Sequence, residues 1–243
     1  METYNKNMTK SSKTIYYSGD KKHLVAVDCI IFGFQNGVLK LLLLKRKVEP
    51  LKGQWSLIGS FVKPNESLDD AAKRILKEST GLEDVFMEQL YCFGDVDRDP
   101  GDRVISMAYN ALMRLEESDE AKVEDFGAKW IPVDQVPSMV IDHDQMMQTA
   151  LAHLQNKIRF YPIGFELLPE KFTLPQLLQL YQAIYRQPLD DRNFRKKILS
   201  LDILKKQDEK DKSVSRKGAF YYRFDKKKYE KLMKRGGGFF LKL

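Results

Sequence analysis

Arg192, Asn193, Arg195 and Lys196 are side chains that can grip a polyanion and read base edges, and they fall within five residues of one another. Arginine and lysine pair with guanine and phosphate, and asparagine pairs with adenine. At helical spacing Phe194, Ile198 and Leu201 share one face, Arg192 and Lys196 the opposite one, with Asn193 and Arg195 flanking. That is the layout of a recognition helix, with the apolar stripe turned to a core and the polar face outward. The helix is read over 190–201, with Asp190 or Asp191 as its N-cap. A second helix precedes it over 174–186, capped by Thr173 and accommodating Pro175 in its first turn. After it, strands at 203–208 and 219–224 flank a loop with Lys210, Lys212, Ser213, Ser215, Arg216 and Lys217, and a basic helix follows at 226–234. A helix–turn–helix followed by a basic hairpin reads as a winged helix. Thr173, Arg192, Asn193, Arg195, Lys196, Arg216 and Lys217 are its expected DNA contacts; the competing reading is a basic, solvated helix and loop.

Charge supports a polyanion partner. The chain has 243 residues and a net charge of +7. Residues 1–160 hold 21 basic and 24 acidic side chains, whereas residues 161–243 hold 20 and 10, so the whole basic excess lies in the last third.

The elements that must carry these residues divide the chain into three parts. Residues 1–22 are polar and read as a flexible arm, residues 23–160 as an α/β domain, and residues 161–243 as the DNA-binding domain, with the Pro- and Gly-containing stretch 159–171 as the junction. In the middle part, Leu24–Phe34 and Val38–Leu44 are apolar strands around Asn36-Gly37, a strong hairpin signal. Residues 55–58, 85–93, 104–115 and 126–131 read as further strands. Ser67 opens a helix with Asp70 three residues on, and Gly81 ends it. A closing helix is read over 143–158. Strands, helix, strands and helix make a mixed α/β sandwich, a sheet between helices. No apolar run is long enough for a membrane span, and the N-terminus does not read as a signal peptide. Cys29 and Cys92 read as buried free thiols, which suits a cytoplasmic location, and the three histidines lack zinc-ligand spacing.

The stretch 57–82 resembles the signature of the Nudix hydrolases, G-x5-E-x7-R-E-U-x-E-E-x-G-U. Phe61, Val62, Pro64, Glu66, Ser67, Leu68, Ala71, Ala72, Arg74, Leu76, Glu78, Thr80, Gly81 and Leu82 stand where that pattern has them. The resemblance implies glutamates at positions 75, 78 and 79, on one helical face, to hold magnesium for attack of water on a diphosphate. This chain has Ile75 and Ser79 there, and Ser60 in place of the leading glycine. Glu66, Arg74 and Glu78 are therefore read as an ion pair fixing the loop to the helix rather than as catalysts. The expected outcome is a scaffold without hydrolysis, with no catalytic residue, bound metal or cofactor. Over the sheet, Asp28, Lys45, Arg46, Trp55, Asp95 and Asp97 are the candidates for binding an effector, with Arg98 and Asp102 nearby. The run Asp95–Asp102 is either a ligand-lining loop or a solvated acidic one, and Trp55 either a stacking platform or core.

Both domains together resemble the NrtR family of Nudix-related transcriptional regulators, over roughly residues 24–229. The runs Leu174-Pro-Gln-Leu-Leu, Tyr181-Gln-Ala-Ile-Tyr and Asp191-Arg-Asn-Phe-Arg-Lys-Lys carry the second half of that resemblance. It implies a homodimeric repressor on palindromic operator DNA, released by a small effector. Within the family the chain is most similar to the arabinose-responsive AraR repressors, which implies L-arabinose as effector; the alternative is an ADP-ribose-responsive regulator of NAD metabolism. An active Nudix hydrolase with a basic tail is the competing enzyme reading. An RNA-binding adaptor is disfavoured because no strand carries an aromatic RNP-like run.

Overall fold

The computed structural model describes residues 19–213 and 216–234. Of the expected flexible arm, residues 1–18 lie outside the described residues, as does Ser215 of the wing loop.

The first domain is a seven-stranded mixed sheet. Strands β1 (Leu24–Gln35) and β2 (Val38–Lys45) form the expected hairpin, and Asn36 and Gly37 both take positive φ, 50° and 82°. That is the backbone a two-residue hairpin turn requires. β3 (Trp55–Ser56) pairs with β2, and β4 (Ile58–Phe61) pairs with β1. Helix α1 (Leu68–Thr80) follows, then β5 (Glu88–Phe93) and β6 (Val104–Arg114). β6 runs parallel to β1 from Leu24↔Val104 to Phe34↔Arg114, so a long parallel pair forms the centre of the sheet. Its buried position explains the nearly continuous apolar run of β1. β7 (Ala128–Pro132) pairs with β2.

Sequence patterning overlooked α2 (Glu117–Glu124), which carries no apolar stripe and buries only Val123. Its start rests on a reciprocal cap between Glu116 and Asp119. Two strands are shorter at the front than expected: β5 begins at Glu88 rather than 85, and β7 at Ala128 rather than 126. The thiols also part company. Cys29 is buried on central β1, whereas Cys92 is exposed on edge strand β5, contrary to the expected burial of both.

Two apolar cores flank the sheet. On one face α1 and α2 cover Val27, Cys29, Ile31, Leu42 and Tyr109. On the other, α3 (His143–Phe160) covers Ile30, Phe32, Leu41 and Leu43. This second core continues without a break through Phe165, Leu167 and Phe172 into the winged helix, where it includes Leu177, Tyr181, Phe194 and Ile198. The C-terminal domain comprises β8 (Phe172–Thr173), α4 (Leu174–Tyr185), α5 (Asp191–Ser200), β9 (Leu204–Asp211), β10 (Ala219–Phe224) and α6 (Lys226–Lys234), with its three strands in the order β8-β10-β9. Phe165, in the connecting turn, stacks on Phe224 at 4.6 Å between ring centroids.

Candidate functional site

The polar face of α5 is built from beneath. Phe194 and Ile198 are fully buried, and Phe194 meets Tyr181 of α4 at 5.2 Å. Burying each such side chain contributes about 1.5–3 kcal/mol, which fixes the rotation of the helix about its axis. Asp190 caps it by accepting from the Asn193 amide at 2.6 Å. Arg192, Asn193 and Lys196 are therefore held outward and exposed, and among the described residues their side chains have no partner. Arg195 differs: its Nε donates to Asp191 at 2.6 Å along the same helix, and it is only partly exposed. Thr173 also departs from the expected contact set. It is 3% exposed, and its hydroxyl accepts from the Gln176 amide in a reciprocal cap, so it starts α4 instead of facing outward. The wing is a hairpin with Arg216 and Lys217 exposed at its end. Lys206 and Lys210 lie over the Phe220 ring at 3.7 and 4.4 Å, a cation–π stack that stiffens the hairpin without removing its charge.

On α1, the charged residues are engaged with one another. Arg74 donates to Glu66 at 2.8 and 2.5 Å, to Glu78 at 3.0 Å and to the Phe61 carbonyl at 3.1 Å. The Arg74 hydrogen bond, helped by the Lys63 amide, pulls the Glu66 carboxyl down to about 2. Ile75 is buried against the sheet among Cys29 and Leu76, so position 75 does not share the solvent-facing side occupied by Glu78.

The expected effector residues are only partly brought together. Lys45 sits over Trp55 at 5.3 Å, and Asp95 and Asp97 line a shallow depression with Arg98, Ile141 and Asp142. Arg46 instead turns to its own loop and donates to the Pro50 carbonyl at 2.9 Å. Asp28 is buried rather than available to a ligand. It accepts from Ser106 at 2.6 Å and faces Arg98 at 3.9 Å and His143 at 3.6 Å. Gly59 packs so closely over it that a β-carbon would come within 1.9 Å of its carboxylate. Arg98 in turn holds Asp142 through two hydrogen bonds, 2.8 and 2.6 Å. Burial pulls the Arg98 guanidinium down, but the Asp142 pair and the charges of Asp28 and Asp99 outweigh it and leave its pKa raised. His143 accepts the Leu57 amide on Nδ1 at 3.1 Å, so its Nε2 carries the hydrogen that faces Asp28. Sequence reading missed Asp142 and His143 because they join this network from a helix start more than a hundred residues beyond Asp28. Among the described residues no cluster of carboxylate, histidine or cysteine side chains could hold a metal ion.

Comparison with known proteins matches both halves of the chain. The profile of the NUDIX domain covers residues 22–150, and that of the NrtR DNA-binding winged helix domain covers residues 164–224. The ADPR responsive transcriptional repressor NtrR of Acinetobacter baylyi is 29% identical over 85% of this chain and 84% of its own. The ADP-ribose pyrophosphatase of Methanocaldococcus jannaschii is 32% identical over 60% of this chain and 83% of its own. The crystal structure of Shewanella oneidensis NrtR with a 27mer DNA superposes with a TM-score of 0.69 at 27% identity, covering 85% of this chain and 95% of that one. The NUDIX domain of the same protein, crystallised with ADP ribose, superposes with a TM-score of 0.50 at 31% identity, over 58% of this chain and 94% of that one.

Proposed function

We propose, because this chain belongs to the Nudix family and joins to that domain an NrtR-type DNA-binding winged helix, that it is a transcriptional repressor whose Nudix domain receives a small-molecule effector. The observation that carries the reading is the outward face of α5: Arg192, Asn193 and Lys196 exposed and, among the described residues, unpaired, opposite a fully buried Phe194 and Ile198. A helix held this way presents its polar side chains to a major groove, and the basic wing adds phosphate contacts. A homodimer would place two such helices on a palindromic operator. Selection of bound sequences from a random duplex pool tests the reading: enrichment of an inverted repeat, lost with Arg192→Ala, is the expected result, and an unenriched pool would overturn it.

ADP-ribose is the effector that the relatives support, since the Acinetobacter repressor is ADPR-responsive by name and the Shewanella domain was crystallised with that ligand. A second reading, a sugar such as L-arabinose, is favoured by the charge around the depression. Asp95 and Asp97 border it beside the Arg98–Asp142 ion pair, and that acidic excess opposes a diphosphate and suits hydroxyl donors. Titrating the operator complex with each ligand at fixed salt separates the two readings, because the ligand that releases DNA must prefer the DNA-incompetent state.

The domain is read as non-hydrolytic. Buried Ile75, together with Arg74 engaging Glu66 and Glu78, supports this. Magnesium-dependent turnover of ADP-ribose above a Glu78→Gln control would sink it.

A further inference from the structure

The helix α6 lies beyond the matched winged-helix segment, which ends at residue 224. Five of its nine residues are lysine and one is glutamate. With about 3.6 residues per turn, Lys227, Lys231 and Lys234 fall in one narrow stripe, and Tyr229 and Leu232 fall on the opposite side. The packing follows that division. Tyr229 and Leu232 are half-buried against the core, with the Tyr229 ring 5.7 Å from that of Phe224. Lys227, Lys231 and Lys234 are exposed, and among the described residues their ammonium groups have no partner.

This stripe works against its own helix. Lys231 follows Lys227 by four residues and precedes Lys234 by three, spacings at which like charges repel. Lys226, Lys227 and Lys228 crowd the first turn, where the positive end of the helix dipole disfavours cations. Asp225 accepts from the Lys228 amide at 3.0 Å and so caps the helix, and Asp202 accepts from the Lys228 ammonium at 2.7 Å. Neither relieves the outward three, and among the described residues Glu230 makes no ion pair with them. The packing of Tyr229 and Leu232 accounts for the docking of α6 but not for lysine on its far side. A polyanion laid along the stripe turns that repulsion into attraction.

Placement identifies the polyanion. The Lys228–Asp202 pair, with a 2.8 Å bond from the Asp225 amide to the Ile203 carbonyl, ties the start of α6 to the residues just after α5. On β10, Ala219 pairs with Asp211 at the wing end and Phe224 with Leu204 at the other. α6 therefore stands by the C-terminal end of α5, and the wing loop stands at the far end of a strand about 20 Å long. We propose that Lys227, Lys231 and Lys234 form a second phosphate-binding element, gripping the backbone of the duplex whose major groove receives α5, on the side away from the wing. The stripe spans about 10 Å of helix, and phosphates of one strand recur every ~3.4 Å of duplex axis, so it meets more than one of them. Phosphate contacts carry no sequence information, so α6 adds affinity and not choice of operator. Its use on an operator rests on the repressor reading; its grip on a duplex of any sequence does not.

The test titrates the selected operator and a scrambled duplex over a salt series with full-length native protein, with the triple variant Lys227→Gln, Lys231→Gln, Lys234→Gln, and with the matching triple arginine variant. The glutamine variant should lower the salt slope by about 0.9 per phosphate contact, hence by roughly two to three per protomer. It should weaken both duplexes by the same factor, about tenfold or more, while the arginine variant keeps the native slope. Its Tm should stay level or rise, because the repulsion along α6 is gone, so lost binding is not lost folding. A glutamine variant with native slope and affinity on duplex DNA would overturn the proposal, and so would a loss confined to single-stranded RNA. Equal native binding to both duplexes, with a slope that the glutamine variant lowers, sinks the repressor reading alone. Native preference for the operator, with a slope that the glutamine variant keeps, sinks the α6 contact alone. Absence of duplex binding sinks both.

Discussion

Helices α1 and α5 both present arginine and acid on an amphipathic frame, and they use them in opposite ways. On α1 the guanidinium of Arg74 is shared among Glu66, Glu78 and a backbone carbonyl, so little remains for a ligand. On α5 Arg195 is engaged by Asp191, while Arg192 and Lys196 stand free of partners among the described residues. The same residue types thus make a brace in one place and a reading head in the other. The difference lies in what stands one helical turn away: Glu78 follows Arg74 by four residues, whereas Arg192 is followed at that distance by Lys196.

The comparison is broken most severely where a brace is buried. Asp142→Ala removes both hydrogen bonds of the Arg98 guanidinium to a carboxylate and leaves it only the more distant charges of Asp28, at 3.9 Å, and Asp99, and should destabilise the fold by about 3–5 kcal/mol, measurable by urea denaturation. The reading head should respond in binding instead. Arg192→Ala should cost about 1–3 kcal/mol on the selected operator and relax the sequence preference, while melting stays unchanged. Arg195→Ala should cost less, because that side chain is already paired, and an equal loss from both would erase the contrast within α5. A buried group that lacks a partner gives a third measure: the Tyr181 hydroxyl, enclosed in the winged-helix core, has none among the described residues. Tyr181→Phe should therefore be neutral or stabilising by up to about 1 kcal/mol, seen as a rise in Tm. Lys217→Ala at the wing should lower the salt slope of DNA binding by about one without altering sequence preference. The smallest effect belongs to α1. The Glu66 carboxyl is depressed from 4.5 to about 2, so its contribution to stability is complete above 4.5 and is lost as pH falls toward 2. Glu66→Gln should flatten that part of the stability–pH curve and leave stability above pH 5 without added slope.

Much of this was legible in local sequence chemistry. The Asn36-Gly37 turn, the Ser67 and Asp190 caps and the Phe194/Ile198 stripe each state a local rule that the fold obeys. What stayed hidden depends on residues distant in sequence. Asp28 reads as an effector-binding carboxylate until Ser106, Arg98 and His143 close around it. Thr173 reads as a DNA contact until its hydroxyl is seen turned back on Gln176. α2 has no apolar period, so no pattern announces it. Cys92 lies in an apolar stretch like Cys29 but on an edge strand, and strand order is a tertiary property.

The apolar core that runs from the sheet through Phe165 into α4 and α5 has a consequence for how the chain comes apart. With Ile158, Leu167, Phe172 and Tyr181 in one packed mass, the two halves should melt as one cooperative unit, in a single calorimetric transition. A fragment ending at Phe160 would strip the covering from Leu154 and Ile158 and offer that sticky face to its neighbours in solution, so the halves are not interchangeable modules.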